Sequence, residues 1–246
     1  MFKVNTDGTG FTTLRNFSVP SGPDLTNSDG ANPWAGLILS SNTLYGTTYE
    51  GGVLGWGTVF KVNTDGTGFT NLHKFTDGSD GGRPEAGLVL SGNTLYGTAS
   101  DGGSRGVGGT VFAIRTDGTG FMTLHSFTSN SGYNTNSDGY GPSALLVLSG
   151  NTLYGTTGGG GGGGYGTVFS LSFRPQLTIT SAGTNIILSW PTNFAGFDYT
   201  GYTLQATTNL ASSVWTTNSP APFVVNGQNT VTNPISGTRR FFRLSL

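Results

Sequence analysis

The chain predicts an all-β protein, and three observations carry that expectation. Two phrases recur along the first 170 or so residues. The recurring segments alternate apolar and polar residues and are split by Asp-Gly and Gly-Asn turns. No segment sustains an apolar period of 3.6, the mark of a helix. The phrase F-x-V/I-x-T-D-G-T-G-F stands at Phe2–Phe11, Phe60–Phe69 and Phe112–Phe121. N-T-L-Y-G-T stands at Asn42–Thr47, Asn93–Thr98 and Asn151–Thr156. The equivalent residues Phe2, Phe60, Phe112 and Phe169 are 58, 52 and 57 positions apart. A repeat of about 50 residues that reads as four short strands is the pattern of a propeller blade.

Each unit reads strand by strand. The first strand is the apolar run Leu37-Ile38-Leu39, repeated as Leu88-Val89-Leu90 and Leu146-Val147-Leu148. A Ser-Gly-Asn type turn leads into the second strand, TLYGT. A glycine-rich loop follows, then the third strand, GTVFKVN. Asp-Gly-Thr-Gly turns the chain into the fourth, FTNLHKF. Such turns need positive φ, which Gly, Asn and Asp tolerate. Phe69, Leu72 and Phe75 in the fourth strand break strict alternation, which a β-bulge would explain. The third unit has no TDGTG after Val168-Phe169 and so lacks a full fourth strand. The expected fold is therefore a partial or small propeller of about three four-stranded blades, followed by a small β-sandwich.

The expected domains are residues 1–174, with repeats near 2–59, 60–111 and 112–173, and residues 175–246. Pro175 cannot donate to a β-ladder and suits a linker. Beyond it the repeat stops and short strands such as NIILSW and YTLQATT begin, with Trp190 in an early one.

Composition narrows the function. Charged residues are only 9% of the 246, against aromatics at 12%, glycine at 43 residues and a net charge of −1. There is no basic field for phosphates, which argues against nucleic acid. No apolar run approaches the roughly 20 residues of a membrane span. Cysteine is absent, so disulfides and thiolate chemistry are excluded. A charge-poor surface rich in Thr, Asn and Gly points to an extracellular or cell-surface protein. No basic and apolar leader is visible at Met1. The chain opens as MFKVNTDGTGF, inside its own repeat, which suggests ring closure by the N-terminus or a cut within a longer array. Too few blades to close a ring would also leave open edges through which copies self-associate.

Two acidic sets are candidates for function. Asp7, Asp65 and Asp117 lie in the TDGTG turns, where Asp bonds its own backbone. Asp29, Asp80 and Asp138 each precede a glycine and then a proline, and should gather on one face. Glu50 and Asp101, from the loops between the second and third strands, belong to that face. So do the aromatics Trp34, Tyr49, Trp56, Tyr133, Tyr140 and Tyr165. The candidate ligand-binding set is Asp29, Asp80, Asp138, Glu50, Asp101, Trp34, Trp56 and Tyr140. Aromatic faces beside carboxylates suit a sugar, and carboxylates in carbonyl-rich loops suit Ca²⁺. No cofactor is otherwise expected. His73, His125 and Arg15 share one position on the fourth strand and read as structural. There is no nucleophile elbow, zinc-protease helix or phosphate loop.

The phrases GTVFKVNTDGTGF, AGLxL and NTLYGT are similar to the GloVer tandem repeats of secreted bacterial proteins, and their strand order resembles kelch blades. The resemblance covers about Met1 to Phe173 and implies no particular chemistry. The segment beyond, with ILSWP, YTLQATTNL and FFRL, resembles a fibronectin-type-III-like sandwich. The leading expectation is a non-catalytic extracellular repeat protein that binds a polysaccharide or cell-surface component on its loop face. The alternative is a glycosidase or lyase that uses Asp29, Asp80, Glu50 and Asp101.

Overall fold

The computed structural model describes residues 1–106, 108–129, 136–211, 214–237 and 239–246. Tyr133, one of the expected face aromatics, lies outside them. The described residues form twenty-two strands and no helix. They divide into two compact units, Met1–Leu171 and Ser172–Leu246.

In the first unit, β1 (Phe2–Lys3) and β2 (Thr12–Thr13) make a short hairpin. Then come two complete antiparallel sheets. One is β3 (Ile38–Ser40), β4 (Thr43–Thr48), β5 (Thr58–Asn63) and β6 (Thr70–Lys74); the other is β7 (Val89–Ser91), β8 (Thr94–Ala99), β9 (Thr110–Arg115) and β10 (Met122–Ser126). A third sheet has only β11 (Val147–Ser149), β12 (Thr152–Thr157) and β13 (Thr167–Ser172). The blades are thus two of four strands and one of three, behind a two-stranded hairpin. The third stops short because the chain runs from Ser172 toward Pro175 instead of turning on a TDGTG.

The strands form where the repeats place them, because the turns demand particular backbones. Gly66 and Gly68 of one TDGTG turn have φ of +88° and +66°. Asp65 Oδ1 accepts from the Thr67 backbone N–H at 2.9 Å and from its hydroxyl at 2.7 Å, and Asp7 and Asp117 do the same to Thr9 and Thr119. These bonds hold all three Asp carboxyls below their ordinary value. The bulge in the fourth strand is present. Val59 pairs with His73 but Phe60 with Asn71, which leaves Leu72 between them, and Leu124 is skipped in the same way.

Successive sheets pack face to face. Tyr45, Val59 and Phe75 from the first sheet share a core with Leu88, Leu95, Ala99, Phe112 and Ile114 from the second. Thr47 crosses the same junction and donates to the Ala86 carbonyl at 3.0 Å. Strands β8 and β9 are buried on both faces, as the middle layer of a stack requires. β13 alternates between half-buried and exposed, so one of its faces is bare.

The second unit has one sheet in the order β14 (Thr178–Ala182), β15 (Asn185–Pro191), β21 (Gln228–Pro234), β20 (Phe223–Val225). Its other sheet is β19 (Thr216–Thr217), β18 (Thr203–Thr207), β22 (Phe241–Ser245). A small hairpin joins β16 (Asn193–Phe194) to β17 (Phe197–Asp198). Leu188, Trp190 and Val231 from the first sheet meet Leu204 from the second in one core, with Phe242 and Leu244 packed against it.

Candidate functional site

The loops before each first strand meet the loops between the second and third strands. Short antiparallel bridges join them at Ala31–Glu50, Gly82–Asp101 and Tyr140–Gly159. Within this layer the two groups of candidate acids have different environments.

Asp29, Asp80 and Asp138 are each taken up by their own repeat. Arg15 Nη2 donates to Asp29 Oδ2 at 2.6 Å, and the Ser18 N–H donates to the same carboxylate at 3.2 Å. His73 Nε2 lies 3.0 Å from Asp80 Oδ2, and the Thr76 N–H donates there at 3.1 Å. His125 Nε2 lies 3.1 Å from Asp138 Oδ1, and the Thr128 N–H donates to Oδ2 at 3.0 Å. One device therefore occurs three times: a carboxylate in the loop grips the Arg or His of the fourth strand and a backbone N–H three residues further on. Burial pushes the Asp29 and Asp80 carboxyls up, but these hydrogen bonds outweigh it and hold both below their ordinary value. The carboxylate oxygens face protein donors, which is the work of a loop anchor. Sequence reasoning set the Asp series and the Arg/His series apart. Their common signal was that opposite charges recur at matching places in the repeat.

Glu50, Asp101, Trp34 and Trp56 do assemble around the junction of the first two repeats. Trp34 stacks on Tyr49 with centroids 4.3 Å apart and planes 21° apart, and it remains 64% exposed. Arg83 reaches across from the next repeat. Its guanidinium carbon lies 4.9 Å from the Trp56 ring centroid and 5.5 Å from that of Tyr49. Nη1 of Arg83 donates to Asp101 Oδ2 at 3.0 Å, and its backbone N–H donates to the Trp56 carbonyl at 2.8 Å. Asn32, at the position equivalent to Arg83, donates through Nδ2 to Glu50 Oε2 at 2.8 Å. The Asp77 carboxyl is pushed up, first by burial and then by the Asp101 charge, with Arg83 opposing.

Beside this cluster is a cleft of about 150 Å³, lined by Pro23, Asp24, Leu25, Glu50, Leu54, Gly55, Trp56 and Arg83. Its volume is below the ~300 Å³ where drug-sized pockets begin, so it suits one ring of a larger ligand. Aromatic faces offer apolar contact to C–H groups, while Asn32, Glu50, Asp24 and Arg83 offer donors and acceptors for hydroxyls. Arg83 and Asn32 were not in the sequence-derived set. Each has positive φ and precedes a proline, at +55° and +57°.

Tyr140 packs elsewhere, over Gly159, where a Cβ would lie 2.2 Å from its ring. Tyr165 occupies the place of Trp56 in the third repeat and is 97% exposed. Among the described residues, no group of three or more His, Asp or Glu is placed to hold a metal ion. Nor do the described residues form a helix long and apolar enough to cross a membrane.

The model of the Gloeobacter/Verrucomicrobia repeat matches residues 1–182. No curated protein matches the chain. Among solved structures, a nidogen/laminin complex is similar over 60% of this chain and 51% of its own, at 18% identity and a TM-score of 0.35. A putative TolB from Agrobacterium tumefaciens is similar over 69% and 46%, at 11% identity and a TM-score of 0.30. The chain spans about half the length of these solved chains.

Proposed function

Since the chain belongs to the Gloeobacter/Verrucomicrobia repeat family, we propose that it is a non-catalytic binding protein whose ligand is an extracellular polysaccharide. The cleft at the junction of the first two repeats takes one sugar ring, and the neighbouring rings of the polymer lie across Trp34. The observation that carries this reading is the exposed Trp34–Tyr49 stack beside the Arg83–Trp56 contact. An exposed indole, backed by a second ring and rimmed by a carboxylate, an amide and a guanidinium, provides flat apolar contact and hydrogen bonding together. The carboxylates of the cluster are already engaged, Glu50 by Asn32 and Asp101 by Arg83. That favours holding a ligand over transferring protons to it.

The second unit serves as a fibronectin-type-III-like spacer or attachment module, and the protein works at or outside the cell surface. A charge-poor composition rich in Thr, Asn and Gly supports that location. The test is a glycan array probed with the intact chain, followed by Trp34→Ala and Trp56→Ala. Wild type should retain a polysaccharide, and Trp34→Ala should weaken binding by about tenfold or more, the range of an aromatic anchor. If no glycan is retained, or both variants bind as wild type does, the assignment fails.

A further inference from the structure

The two junctions between successive repeats share a backbone and differ in their side chains. At the first, the Arg83 N–H donates to the Trp56 carbonyl at 2.8 Å; at the second, the Gly141 N–H donates to the Gly108 carbonyl at 2.9 Å. Where the first repeat has Trp34 and Tyr49, the second has Glu85 and Ser100, and the Ser100 hydroxyl donates to Glu85 Oε1 at 3.1 Å. Two glycines and a Ser–Glu pair therefore make the same junction. The fold does not require the rings of Trp34, Tyr49 and Trp56 or the guanidinium of Arg83, so these groups are available to a ligand.

The charges of the cleft beside these groups do not balance. Asp24 and Glu50 line it with a single cation, Arg83. That cation is already paired: Nη1 donates to Asp101 Oδ2 at 3.0 Å. Glu50 Oε2 accepts from the neutral amide of Asn32. Among the described residues, neither Asp24 nor Glu50 has an ion-pair partner. The Ser21–Thr26 bridge closes the turn that carries Asp24, and the Asp24 carbonyl presses on Gly55 with no room for a Cβ between them. Close to Trp56, Asp77 Oδ1 is buried without a hydrogen-bond partner. A Cβ on Gly82 would lie 3.2 Å from that oxygen and 3.4 Å from the indole. An anionic sugar would meet unpaired carboxylates and a guanidinium already engaged. A neutral sugar would leave the Asp24 and Glu50 charges unanswered.

We infer that the polysaccharide is a polymer of amino sugars whose nitrogens are unsubstituted and carry positive charge. This inference rests on the glycan reading above and names its chemical class. The sugar rings lie on the aromatic surface, and their ammonium groups pair with Asp24 and Glu50 as charge-assisted hydrogen bonds. The exposed indole of Trp34 attracts the same charge through its ring face. Carboxylates and aromatic rings then act on one ligand together, the first on its charge and the second on its C–H faces.

The experiment is calorimetric titration of the intact chain at about pH 6, between the ordinary carboxyl and amine values. The probes are a β-1,4-linked glucosamine oligomer, its fully N-acetylated counterpart, an oligogalacturonate and an oligolysine. The glucosamine oligomer should bind about tenfold more tightly than the acetylated one, the range of two partly exposed ion pairs, and about 0.5 M salt should remove most of that margin. Asp24→Asn combined with Glu50→Gln should bring the ratio between the two oligomers close to one. Trp34→Ala should weaken both. If the acetylated oligomer or the oligogalacturonate binds as tightly as the amine, and that binding depends on Trp34, the amino-sugar assignment falls while the glycan reading stands. If no oligosaccharide binding depends on Trp34, both fall. Oligolysine bound as tightly as the glucosamine oligomer would overturn the inference in favour of a basic peptide.

Discussion

Removing the Asp29 carboxylate tests whether it anchors the fold or faces a ligand. Asp29→Ala deletes an acceptor that holds Arg15 Nη2 at 2.6 Å and the Ser18 N–H at 3.2 Å. A hydrogen bond to a charged group nets about 1.5–3 kcal/mol. Two features lower the loss. The Arg15 side chain is 32% exposed and regains water, and Ser18 is exposed and rehydrates its N–H. The expected cost is about 2 kcal/mol. For a unit of this size each kcal/mol moves Tm by about 2–4 °C, so calorimetry at pH 7 should show a fall of about 4–8 °C. Arg15→Met supplies the other arm of a double-mutant cycle, with an expected coupling of about 1–2 kcal/mol. The anchor reading is refuted if Tm stays within about 1 °C of wild type, or if the two losses simply add.

Two further outcomes follow from the same geometry. The Asp29 and Asp80 carboxyls are held below 3.8 in the folded chain, so their stabilisation is complete above that value and is lost as pH falls through the lower folded values. Thermal stability of the first unit should drop between about pH 4 and pH 2, and Asp29→Ala should flatten part of that drop; an equal drop in the variant would remove Asp29 from the cause. In the first repeat the Thr48 and Thr58 hydroxyls lie 2.9 Å apart and the Thr58 N–H donates to Thr48 Oγ1, as Thr167 does to Thr157, but the second repeat has Ala99 at that place. Ala99→Thr should restore the bond and raise stability by about 0.5–1.5 kcal/mol in denaturant titration, and a loss of stability would show that the second repeat has no room for the methyl group.

The strands were legible because the repeats wrote the same turns three times. Asp65-Gly66 and its equivalents demand positive φ, and the apolar runs between turns leave few other structures. The bulge at Leu72 and Leu124 was legible as a break in alternation. The anchor pairs were not, because the sequence separation between partners is 14, 7 and 13 residues. A variable loop conceals a constant contact, and only two partners aligned by repeat position would reveal it. Arg83 was hidden for another reason. A residue before proline is ordinarily extended, and nothing local announces that Arg83 and Asn32 adopt the left-handed region. That backbone turns Arg83 back toward the ring of Trp56, in the preceding repeat.

The triplicate anchor also separates two kinds of inheritance. Asp29 and Arg15 lie in one repeat, and so do Asp80 with His73 and Asp138 with His125. Duplicating or deleting such a cassette carries its own fastening with it, whatever the length of the loop. The Arg83–Trp56 contact has the reverse property, since its two halves belong to different cassettes. Shuffling repeats would keep each anchor intact while changing which side chains meet across a junction. Each novel adjacency would set a different pair of side chains where Arg83 and Trp56 now meet.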